Sequence, residues 1–158
     1  MPARPLVLLL LFSILLAGCS DPPPAVKLEG DRAHFSGVWL YQKQDFGSDV
    51  AFDYRMLVLY PDGRAVYKRC SKSPGGSKSV NLGSAYVSRL TDSELVLTTN
   101  LFVTTIETEF TIDRPAWQEG NDWFMNLDGV SFRRLKPGEQ TGHESWPCGD
   151  QQGSGDVV

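Results

Sequence analysis

After an apolar run from Leu6 to Leu16 broken only by Ser13, hydrophobic and polar residues alternate in short stretches separated by turn residues. None of these later stretches keeps a helical period over ten residues or more. Gly37 to Tyr41 predicts a first strand, with Trp39 and Tyr41 on one side. Phe52, Tyr54, Met56, Val58 and Tyr60 then alternate with Asp53, Arg55, Leu57 and Leu59, the period of two that a strand requires. Pro61-Asp62-Gly63 predicts a turn, since proline presets its first position and glycine supplies a positive φ. The chain returns as Arg64 to Cys70. Ala85 to Leu90 and Glu94 to Thr99 predict a second pair. The clearest strand runs from Phe102 to Ile112, with Phe102, Thr104, Ile106, Thr108, Phe110 and Ile112 on one face. Trp123 to Leu127 and Val130 to Leu135 flank Asp128-Gly129, a two-residue type I′ signal. Such a turn sets the register, so Leu127 faces Val130, Met125 faces Phe132 and Trp123 faces Arg134. Ser71 to Gly83 and Asp113 to Gly120 are expected as loops. The pattern predicts an all-β fold, an antiparallel up-and-down meander of seven or eight strands. Closure into a small barrel removes the exposed edges, and an open sandwich is the alternative.

The eleven residues Leu6 to Leu16 suit the core of a signal peptide and fall short of the roughly 20 needed to span a bilayer as a helix. Leu16-Ala17-Gly18-Cys19 follows at once. These four residues resemble the lipobox of bacterial lipoproteins, and the resemblance implies cleavage before Cys19 with lipid, including palmitate-type acyl chains, on that cysteine. An ordinary signal peptide is the competing expectation. At about 0.8 kcal/mol per buried methylene, one chain holds marginally and two or three anchor stably. The resemblance further implies a domain in the bacterial cell envelope. Ser20, rather than an acidic residue, follows Cys19, which is similar to cargo of the outer membrane facing the periplasm. The expected organisation is a signal peptide over 1–18, a lipidated N-terminus and Pro-rich linker over 19–35, a barrel domain over 36–148 and a disordered tail over 149–158. Extended, Ser20 to Phe35 would reach at most about 50 Å.

Of the chain's 158 residues, 140 remain after such cleavage, enough for one core. Loss of Arg4 moves the formal charge from -4 to -5. This acidic balance, with no basic cluster longer than Arg133-Arg134, excludes nucleic acid as an expected partner. With Cys19 lipidated, Cys70 and Cys148 are left to form the expected disulfide, against two free thiols. On the chain-entropy view, closing that loop of roughly 79 residues stabilises by about 4.5 kcal/mol.

Gly37-Val38-Trp39 opening the first strand, with Arg133 or Arg134 in the last, resembles the lipocalin and wider calycin pattern. That resemblance implies that the tryptophan closes one end of the barrel and packs against the arginine, a cation–π contact worth roughly 0.5 to 2 kcal/mol. It also implies a cavity for an apolar small molecule, lined by residues such as Tyr54, Met56, Ile106 and Phe110. The sequence offers no Gly-x-Ser-x-Gly elbow, and its two histidines fall in expected loops. No spacing matches a zinc or calcium site. The expectation is therefore a membrane-anchored binding or structural protein without catalysis, cofactor or metal. Its partner is either an apolar small molecule or an envelope protein, the latter as an assembly or inhibitor module.

Overall fold

The computed structural model describes residues 24–45, 51–101 and 103–139. The signal peptide, Cys19, Cys148 and the tail over 149–158 lie outside them. Eight strands follow in chain order: β1 Gly37–Asp45, β2 Ala51–Leu59, β3 Arg64–Ser73, β4 Gly76–Leu90, β5 Glu94–Leu101, β6 Thr104–Glu119, β7 Asp122–Leu127 and β8 Val130–Arg134. Each pairs antiparallel with its successor and β8 returns to β1, so the meander closes into a barrel and the sandwich alternative falls. The β7–β8 hairpin has the register expected of its turn, with Leu127 opposite Val130 and Met125 opposite Phe132. Asp128 and Gly129 take φ of 49° and 73°, the two positive values a type I′ turn needs.

Both segments expected as loops are strand. Ser71 to Gly83 completes a long β3–β4 hairpin, in which Ser73 pairs with Gly76 across Pro74-Gly75. Its side chains there are mostly exposed, so no apolar alternation marks it. Asp113 to Gly120 continues β6 through Pro115, because the ladder to β7 shifts register between Ile112 and Arg114 and again before Trp117. A proline fits a strand at such irregularities, where no ladder N–H is required of it. At the other end β6 begins later than expected. Leu101 pairs with Thr104, and Val103 in the tight turn between them is 97% exposed.

Leu57, Leu59, Val87, Leu95, Leu97, Met125, Leu127 and Phe132 are buried together inside the barrel. The linker contributes to this core, which corrects the expectation of a spacer reaching to Phe35. Val26 donates its N–H to the Val87 carbonyl at 2.7 Å, and Leu28 donates to Pro61 at 2.8 Å. Leu28 and Phe35, the latter ending a short 3-10 helix over Gly30–Phe35, are both buried in the core. Burying two large apolar side chains at about 1.5 to 3 kcal/mol each outweighs the extended preference that the upstream prolines lend the segment.

Gly63, in the β2–β3 turn, has φ 87°, and a Cβ there would stand 2.5 Å from the Val26 carbonyl oxygen. Gly63→Ala is accordingly expected to cost more than about 1 kcal/mol. Hydrogen exchange should quicken at the Val26 and Leu28 amides ahead of the barrel strands. Unchanged protection at those two amides would count against this account of the linker.

Candidate binding site at the barrel mouth

The two ends of the barrel differ. At the end carrying the β2–β3 turn, Trp39 is fully buried and donates its indole N–H to the Phe35 carbonyl at 2.7 Å. The Arg134 guanidinium lies 5.7 Å from the Trp39 ring and 4.7 Å from that of Trp123. It donates to the carbonyl oxygens of Ser36 and His34 at 3.2 and 3.4 Å. Burial pulls its pKa below the ordinary arginine value. Of the two arginines named for closure, Arg134 therefore fills that place. Arg133, opposite Phe124 in the β7–β8 ladder, points away and pairs with Glu139 through both carboxylate oxygens, one at 3.0 Å. These bonds hold the Glu139 carboxyl down at about 2.

Cross-strand register organises the interior into layers, since directly opposed residues share a face of the sheet. Trp39, Leu57, Tyr67 and Leu82 form one row across β1 to β4. The next row toward the opposite end is Tyr41, Arg55, Arg69 and Val80, and the one beyond it is Lys43, Asp53, Ser71 and Lys78. The inner face thus turns from apolar to charged within two rows. Above these rows the wall formed by the described residues is incomplete. The β8 ladder to β1 comprises only Trp39 with Arg134 and Leu40 with Arg133, and β7 meets β6 only from Ile112 onward.

Asp53 sits between two arginines. Arg55 reaches it through Nε at 3.1 Å and Nη2 at 2.7 Å, and Arg69 through Nε at 3.2 Å and Nη2 at 3.1 Å. Burial alone would raise the Asp53 pKa, but the bonds from Arg55 and Arg69 outweigh it and hold the carboxyl below its ordinary value. For Arg55 burial works downward, and the Asp53 carboxylate more than offsets it. The Arg55 guanidinium also lies 5.4 Å from the Tyr41 ring. Beside this triad opens a cleft of about 420 Å³, lined by Tyr41, Lys43, Phe52, Asp53, Arg69 and Lys72 among others.

The four residues expected to line an apolar cavity are not brought together. Phe110 is in the core, packed edge-on against Tyr67 with centroids 4.9 Å apart. Ile106 is 44% exposed near the β5–β6 tip, beside exposed Leu101 and Val103. Tyr54 and Met56 lie on the other face of β2 from Leu57 and Leu59, outside the interior cluster. The reason is register. Leu57 stands opposite Trp39, so the odd-numbered residues of β2 point inward. Arg55, Asp53 and Arg69 were not singled out from sequence, although one signal was there: they occupy the same alternation phase as Leu57, Leu59 and Tyr67.

Cys70 is fully buried, outside the interior cluster, and does not stand free. It is the one cysteine among the described residues, so no disulfide closes within them. Among the described residues, no three His, Cys, Asp or Glu side chains gather as a metal site.

An eight-stranded antiparallel barrel plugged at one end by a tryptophan and an arginine is compatible with a lipocalin-like barrel. No known family matches the chain, and no curated protein or solved structure does so either.

Proposed function

We propose that this chain is a lipid-anchored binding protein of the bacterial cell envelope, facing the periplasm from the outer membrane, with no catalysis of its own. The observation that supports it best is the barrel's asymmetry: a plugged end with the N-terminal segment docked on it, and a mouth with a charged cleft. A lipid on Cys19 is then tethered to the plugged end by residues 20–25, roughly 20 Å of chain at most. The mouth is directed away from the bilayer and meets soluble ligands. The apolar-carrier form of this reading has less behind it, because Leu97, Phe110, Met125 and Phe132 fill the interior where an apolar ligand would sit.

A second reading, an assembly or inhibitor module, is favoured by Leu101, Val103 and Ile106, which expose apolar surface at one hairpin tip. In either reading Cys70 pairs with Cys148.

Labelled palmitate fed to cells tests the anchor. The natural chain should carry label and fractionate with membranes, whereas Cys19→Ser should do neither. Intact mass on reduction should rise by two hydrogen atoms for the disulfide. Native mass spectrometry of the membrane-extracted protein then separates a retained small molecule from a retained protein. An unlabelled natural chain in the soluble fraction would overturn the anchored reading.

A further inference from the structure

We propose that the mouth binds a small oxyanion, a carboxylate or phosphate group, with Arg69 as its direct contact, Lys72 as a rim charge beside it, and Asp53 as a built-in competitor that keeps both arginine forks in place. This rests on the mouth being the working surface. The chain carries a net negative charge, yet Lys43, Arg55, Arg69 and Lys78 stand on the inner-face rows at the mouth ends of β1 to β4, and Lys72, opposite Phe52 on the other face, stands at the rim. Among the described side chains of those rows, Asp53 is the single acid. One carboxylate against two guanidinium groups leaves the triad with one net positive charge before any lysine is counted.

The geometry leaves donors to spare. A guanidinium has five N–H groups in a planar fork suited to carboxylate and phosphate. Asp53 takes the Nε–H and one Nη2–H of Arg69, so among the described residues the Nη1 edge is left to a further acceptor. The Arg69 side chain is 29% exposed and lines the cleft, as exposed Lys72 does on the rim. Positive charge held in a concave wall of low dielectric attracts an anion more strongly than the same charge on a flat surface. A cleft of about 420 Å³ accommodates a small organic acid, whose carbon body meets the Tyr41 ring. A triad that only filled space in the barrel would not need a surplus cation.

The test titrates the full mature chain in nonionic detergent with succinate, inorganic phosphate and succinamide, the last a neutral isostere of succinate. Arginine Nε–H resonances and calorimetry are the readouts. At least one anion should shift the Arg69 and Arg55 signals, succinamide should not, and added salt should weaken the response. The two anions distinguish a carboxylate site from a phosphate site. Arg69→Gln should weaken binding by about tenfold or more. Lys72→Gln, on the exposed rim, should weaken it severalfold with unchanged stability, which covers the case in which Arg69→Gln fails to fold. Asp53→Asn should tighten anion binding while lowering stability, a pair of opposite effects that a purely structural triad cannot produce.

A response equal for succinamide, or one unaltered in Lys72→Gln and Arg69→Gln, overturns the proposal. Silence to both anions together with a neutral or apolar mass retained from the membrane overturns it and leaves the mouth as a binding surface. Silence together with a protein held on the β5–β6 tip overturns both.

Discussion

Trp39→Ala is expected to cost about 4 kcal/mol or more in urea unfolding, the upper part of the range for removing a large buried aromatic. The ring is wholly buried at the plugged end, in contact with the core and with Arg134. Its loss also leaves the buried Phe35 carbonyl without the indole donor. Single domains are stable by only about 5 to 15 kcal/mol, so the variant should be partly unfolded at 37 °C or close to it. Trp39→Phe separates the two contributions. It keeps most of the packing and removes the hydrogen bond, for an expected cost of about 1 to 3 kcal/mol. If Trp39→Ala lost no more stability than Trp39→Phe, ring packing at this end would not be what closes the barrel.

Asp53→Asn is expected to lower stability by about 2 kcal/mol at neutral pH. Breaking a buried ion pair by removing one partner costs about 3 to 5 kcal/mol, and partial exposure of these side chains reduces that. The effect carries a pH signature. The folded Asp53 carboxyl titrates below its ordinary value, so its contribution is complete above the unfolded pKa of about 3.9. It is lost as pH falls through the lower folded value. The gap between natural chain and variant should stay level from neutrality to about pH 5 and close below about pH 4. A gap that persists undiminished into strong acid would show that the loss comes from altered packing rather than from the charge.

These predictions draw on different kinds of information. Trp39 was legible as a closing residue because Gly37-Val38-Trp39 begins the first strand, and the structure buries it as expected. The β7–β8 hairpin was legible in its turn and in the register next to it, Leu127 opposite Val130 and Met125 opposite Phe132, since a two-residue Asp-Gly turn favours one register. Asp53 was not legible as interior. In β2 both phases of the alternation contain apolar residues, Tyr54, Met56 and Val58 against Leu57 and Leu59, and the charged pair made the inner phase look like the outer one. The extension of β4 over Gly76 to Gly83 was hidden because few of its side chains are buried, and burial is what writes a period into sequence. The docking of the N-terminal linker was illegible for a related cause. Three prolines advertise extension, while Leu28 gives no local sign that a groove awaits it.

By itself the sequence determined the strand-only fold, most turn positions, the up-and-down order and the expectation of a lipid anchor, because each depends on neighbours in the chain. The tertiary structure alone decided that β2 turns Asp53 and Arg55 inward, that Arg134 rather than Arg133 meets Trp39, and that Leu28 joins the core. A strand of period two fits a sheet equally well with either face inward, and only pairing with distant segments selects between them.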